Sequence, residues 1–322
     1  MKHENGVSQP LSINTRAFKH SDVDKNALLG FKDLVNKVVV FAQGVCTVPA
    51  ELHHDLREDP DASFAQLHVY YTTSHSRSSL GASPTLAEID RIVDQAQELR
   101  DEGDSEAAYN SLVHEPLLAL ALSLSPHAKR VAVKNIVHAT ISPASLLPLG
   151  ANNLSVRSKM VDWAVVLRPV GALGGALARA RQQPDGDERF FNHSRYRSLI
   201  DKPFAISVET KPEGEDIRQA YIQLAVWTST HMNFLSQLLG DTASSAKNLP
   251  HLPLLIVQGS LWSFLCASRK ADGSTDIHTK IDFGDASTRY GVFIIVSVLQ
   301  LLVDWAEVHY RPWFEEHCVV KE

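Results

Sequence analysis

The segment Phe204–Lys211 (FAISVETK) carries the residue types best suited to chemistry. Side chains alternate across a strand. Ile206, Val208 and Thr210 therefore face one way, and Ala205, Ser207, Glu209 and Lys211 the other. The second face sets a carboxylate and an ammonium two residues apart, beside small neighbours that leave room for a ligand. Asp162 interrupts a second apolar run, Met160–Leu167 (MVDWAVVL), although an unpaired buried carboxylate is costly. A hard divalent cation takes one or two carboxylates and keeps several waters. Asp162 and Glu209 can supply these if their strands are adjacent. Lys211 can then orient the attacking water or stabilise negative charge on a phosphate. Gln223, in QLAVW on the following segment, can reach the same cleft. A Glu-x-Lys pair is also common as a solvated edge or a cross-strand ion pair. It is the order Asp, then Glu-x-Lys, then Gln that favours chemistry.

These residues need elements to hold them. Ala27–Ala42 has a helical apolar stripe, after a polar arm over residues 1 to about 26. Leu56–Ser83 reads as an irregular connection. Thr85 and Glu88 form a capping box, with Ile89, Ile92, Val93 and Ala96 on one face beyond it. A second helix starts at Ser105, and Pro116 predicts a kink or restart in it. The period then changes. Met160–Leu167 and Phe204–Lys211 read as strands, and Ile217–Leu239 as a long helix. Leu252–Ser268 holds at least one strand, with Gly259 as a bulge or bend. Thr275–Phe283 is a further strand and Tyr290–Tyr310 a final apolar helix. This order favours an α/β domain with a mixed sheet and flanking helices.

The 322 residues hold 31 Lys and Arg against 37 Asp and Glu, a balance of −6. That argues against a protein that coats nucleic acid through bulk charge, though not against a local basic groove. Candidates for such a groove are Lys129, Arg130 and Lys134, then Arg179 and Arg181, then Arg195, Arg197 and Lys202. Three scattered cysteines, Cys46, Cys266 and Cys318, suggest a reducing compartment. The longest uncharged apolar run, Gly291–Val303, is shorter than the roughly 20 residues that span a bilayer. The expectation is an intracellular protein, cytoplasmic or nuclear, with no membrane partner.

The order Asp162, Glu209-Thr210-Lys211, Gln223 resembles the PD-(D/E)XK nuclease superfamily. The flanking segments resemble its fungal nuclease-like proteins: EAAYNSLVHEPLL, KMVDWAVVL, KPFAISVETK, QAYIQLAVWTSTHMNFL, LPHLPLLIVQGSLWSF and VLQLLVDWAEVHYRPW. QLAVW also resembles the QxxxY helix motif of RecB-type nucleases, with Trp227 in place of Tyr. The resemblance implies a restriction-endonuclease-like core over 85–322, with residues 1–84 as an N-terminal arm and helical extension packed on it. It implies Mg2+ (or Mn2+) held by Asp162, Glu209 and the carbonyl of Thr210. Lys211 would act on the water, Glu106 would be an auxiliary acid, and Gln223 would support the site. The implied function is phosphodiester hydrolysis of DNA or RNA. The alternative is a repurposed fold that binds or transforms a small molecule in a fungal biosynthetic pathway.

Other signals point nowhere. Gly171-Ala-Leu-Gly174-Gly175 lacks the G-x-G-x-x-G spacing of a dinucleotide loop. His114, His138, His193 and His231 show no zinc spacing and read as structural or surface histidines. The five tryptophans lie in apolar stretches and read mainly as core.

Overall fold

A computed structural model of the chain describes residues 31–57, 62–149, 157–181, 190–240 and 249–319. The polar arm and the first turn of the expected Ala27–Ala42 helix lie outside the described residues. Helix α1 runs from Phe31 to Ala42. A short parallel pair follows, β1 (Val48–Pro49) with β2 (Tyr70–Tyr71). Helix α2 (Leu86–Glu102) starts at the expected capping box. Thr85 Oγ1 accepts from Glu88 N–H, and the Glu88 carboxylate accepts from Thr85 N–H at 2.8 Å.

Helices α3 (Glu106–Tyr109) and α4 (Glu115–Ser123) are separated by one wide turn, Asn110–His114, of π type. Pro116 lies two residues beyond its end and lacks the N–H of a regular turn. The expected restart is therefore a bulge of the kind often found at functional sites.

The main sheet has six strands in the order β3-β4-β5-β6-β7-β8. They are Val131–Asn135, Trp163–Leu167, Phe204–Lys211, Leu252–Gln258, Leu261–Arg269 and Thr275–Asp285. Only β5 and β6 run parallel. A parallel neighbour needs a crossover, and helix α6 (Arg218–Leu239) provides it. Helix α5 spans Gly171–Arg181, so its glycines belong to a helix and not to a nucleotide loop. Leu252–Ser268 resolves into a hairpin, β6 to β7, turning at Gly259-Ser260.

The two faces of β5 carry different layers. Ser207 accepts from Trp227 Nε1 of α6 at 3.1 Å. Thr210, on the opposite face, is bonded by Asn110 from between α3 and α4. All eight residues of β5 are buried, as are all five of β4. The expected open face at Ser207 is thus filled by Trp227, which is fully buried.

Helix α7 (Arg289–Trp305) is buried nearly all round, as its uniformly apolar sequence requires. With the turns that follow it, the helical stretch Arg289–Cys318 has 30 residues. By length and composition it could cross a membrane, but 89% of its most apolar window is buried inside the protein. It packs on α1, α4 and β8 as a core helix.

Candidate active site

The site forms at the carboxyl end of β5. Strand β4 runs antiparallel to β5 with Trp163 opposite Val208. Extending that ladder by one step brings Asp162 opposite Glu209. Asp162 N–H donates to the Val208 carbonyl at 3.1 Å, which fixes its backbone. Asp162 Oδ2 accepts from both the N–H and the hydroxyl of Thr210, each at 2.8 Å.

Glu209 is completely buried. Its Oε1 accepts from Lys211 Nζ at 2.6 Å, and its Oε2 has no hydrogen-bond partner. Lys211 Nζ also donates to the Thr210 carbonyl at 2.8 Å and lies 3.8 Å from Glu106 Oε2. Glu106, in the first turn of α3, is part-exposed and approaches Thr210 Oγ1 at 3.4 Å through Oε1. Ser105 caps this helix by accepting from Ala108 N–H.

Gln223 stands apart from the carboxylates. Its Nε2 donates to the Met160 carbonyl at 3.2 Å, two residues before Asp162. It borders the site and braces the entry to β4. The structure thus brings together Asp162, Glu209, Thr210, Lys211 and Glu106, with Gln223 at the margin.

The electrostatics follow from burial. Loss of water raises the Glu209 carboxyl to about 8, reinforced by the charge of Asp162 and opposed by Lys211. Burial, then Asp162, also raises Glu106 against the pull of Lys211. For Lys211, burial works against the charged form. The carboxylates of Glu209, Glu106 and Asp162 outweigh it and hold the ammonium above its ordinary value.

The donor set suits a hard cation: two carboxylates, a main-chain carbonyl and a third carboxylate nearby. The orphaned Glu209 Oε2 is a buried oxygen in want of a partner, and a divalent cation would satisfy it. Among the described residues no three His, Cys, Asp or Glu side chains form a metal-holding group by themselves. The Thr210 carbonyl and solvent would have to complete the shell.

Three participants carry no signal in the Asp, Glu-x-Lys, Gln pattern. Asn110 donates to Thr210 Oγ1 at 3.0 Å, and His114 lies between Asn110 and the carbonyl of Gly259. His114 is fully buried, which pushes it down to about 4, against the pull of the Gly259 carbonyl. Spacing could have found the first two. Glu106, Asn110 and His114 recur every four residues and so share one helix face.

A family model described as the PD-(D/E)XK nuclease superfamily matches residues 52–311. No curated protein matches the chain. No solved structure matches it. The mixed sheet with flanking helices is the restriction-endonuclease-like fold of that superfamily. With the match covering most of the sequence, the chain belongs to the PD-(D/E)XK nuclease superfamily.

Proposed function

We propose that the protein is a metal-dependent phosphodiesterase that hydrolyses nucleic acid. Magnesium or manganese would be held by Asp162, Glu209 and the carbonyl of Thr210. The observation that carries this reading is the buried Glu209, one oxygen unpartnered, beside Asp162 on the neighbouring strand and Lys211 on its own. The cation would supply Lewis-acid polarisation of a phosphoryl oxygen and a more acidic attacking water.

The residues do the rest. Thr210 fixes the Asp162 carboxylate through two hydrogen bonds. Lys211, held as an ammonium by three carboxylates, is suited to bind the scissile phosphate and oppose its growing negative charge. That assigns it electrostatic stabilisation over a general-base role. Glu106, with its carboxyl pKa raised, is placed to accept the proton that water loses on attack. Water adds to phosphorus in line as the phosphodiester P–O bond breaks.

A second reading, a small phosphoester as substrate, has one observation in its favour. Several basic candidates are already engaged. Arg130 pairs with Glu307, Lys202 with Asp201, and Arg195 lies over the Phe190 ring.

The test is hydrolysis of single- and double-stranded DNA, of RNA and of bis(p-nitrophenyl) phosphate, each with magnesium or manganese. Polynucleotide cleavage abolished in Asp162→Ala and Lys211→Ala supports the nuclease. Turnover of the small diester alone supports the second reading. Equal background from wild type and both variants on every substrate overturns both.

A further inference from the structure

A closed run of hydrogen bonds encircles the end of β5. The Gly259 N–H donates to the Lys211 carbonyl at 2.9 Å. The Gly259 carbonyl faces His114 Nε2 at 2.7 Å. His114 Nδ1 faces Asn110 Oδ1 at 3.0 Å. Asn110 Nδ2 donates to Thr210 Oγ1, and that hydroxyl donates to Asp162.

The hydrogen bonds of Thr210 and Asn110 fix their own donors. Thr210 has a single hydroxyl proton, and it is directed to a carboxylate. Oγ1 must therefore accept from Asn110, which places the amide NH2 on that side. Trp163 Nε1 is a donor only and contacts Asn110 Oδ1 at 3.2 Å, which fixes the same orientation independently. Oδ1 thus faces His114, whose other ring nitrogen meets the Gly259 carbonyl.

We propose that Asn110 and His114 are positioning residues for the Thr210–Lys211 segment, with the buried imidazole linking Asn110 to the Gly259 carbonyl. The imidazole lies between Tyr109, stacked at 5.8 Å, and Trp262, edge-on at 5.8 Å. The run ends on the Asp162 carboxylate. Its importance for catalysis rests on the metal-dependent reading of the site, but the positioning of Thr210 does not.

The experiment compares backbone amide exchange at Thr210 in the full-length wild type, His114→Phe and His114→Gln, each checked for native circular dichroism. Faster exchange in Phe, partly restored in Gln, is expected; unchanged exchange in both overturns the positioning role. Should His114→Phe fail to fold, Asn110→Ser removes the donor to Thr210 and is read the same way. Manganese calorimetry separates the two readings. With metal bound, a loss of about 10- to 100-fold in affinity is expected for His114→Phe. If wild type binds no manganese, the metal reading fails while the amide exchange still decides this one.

Discussion

Lys211 Nζ reaches Glu209 Oε1 at 2.6 Å, yet the other oxygen of that carboxylate meets nothing. Burial and Asp162 raise Glu209 to about 8, against the pull of Lys211. The free protein therefore retains a proton at Glu209 that the unfolded chain would release. The folded pKa exceeds the unfolded one, so this contribution to stability is full below about 4.5 and is lost as pH rises through about 8. Denaturant unfolding of the metal-free protein between pH 7 and pH 9, above the range in which the buried histidines titrate, should show stability falling, with a contribution of a few kcal/mol from Glu209. In Glu209→Gln, which mimics the protonated form, the fall should be much reduced. An unchanged slope would remove Glu209 from the explanation.

The same proton opposes a cation. A carboxyl must ionise to become a ligand, so binding expels the proton and affinity depends on pH. Manganese affinity should rise from pH 6 to pH 8 and level off above. Calorimetry in buffers of different ionisation enthalpy should show net proton release at pH 7. Binding without proton release would mean that Glu209 is already ionised or is not a ligand.

Much of this was legible in the sequence, for identifiable reasons. The capping box at Thr85 and Glu88 is local, and its hydrogen bonds form where the spacing predicts. The β5 strand has the expected bounds, because eight residues of alternating apolar character admit little else. What alternation could not reveal was the second layer. Ser207 looked like open space beside a ligand, yet it accepts from Trp227, a residue 20 positions away that arrives with the α6 crossover. Edge strand β3, Val131–Asn135, was hidden because Lys129, Arg130 and Lys134 read as a basic cluster and not as the margins of a strand. Alternation rightly puts Thr210 on the face of Ile206 and Val208, but it cannot reveal that its hydroxyl is the junction of Asp162, Glu106 and Asn110, three segments whose meeting only the sheet register determines.

Lys211→Met separates charge stabilisation from metal binding. The variant leaves Asp162, Glu209 and Thr210 in place but removes the ammonium. The Glu209 carboxyl should then titrate still higher, because Lys211 is the group that lowers it. Cleavage should fall by about 10²–10⁴-fold, the scale lost with a single stabilising group in a buried site. Saturating manganese should still bind, at a higher pH than in wild type. Loss of metal binding at every pH would make Lys211 a structural requirement of the site.

Trp227→Phe tests whether the α6 aromatic belongs to the core or the cleft. Its ring is fully buried and its N–H donates to Ser207. Phenylalanine keeps most of the volume and loses that bond, leaving the Ser207 hydroxyl unanswered. The cost should be about 1–3 kcal/mol in unfolding free energy. Turnover and manganese affinity should change less than twofold. A large drop in turnover with intact stability would place Trp227 in contact with substrate.

Asp162→Asn tests the coupling between the two central strands. Asp162 Oδ2 accepts two hydrogen bonds from Thr210, and an asparagine Oδ1 can still accept both. The fold should therefore survive, with a loss of about 1–2 kcal/mol as the charge-assisted character of the bonds disappears. Two further consequences arise from removing the charge. Glu209 loses the anion that helps to raise it, so its titration should move down towards the ordinary carboxylate range. Glu106 loses one of its repulsive neighbours and should move the same way. Infrared difference spectra across pH 5 to 9 would follow the carboxyl bands directly. Manganese binding and hydrolysis should be lost despite the easier ionisation of Glu209, because the cation would retain only one of its two central carboxylates. Tight manganese binding in this variant would remove Asp162 from the ligand set and leave Glu209 and Glu106 to hold the ion.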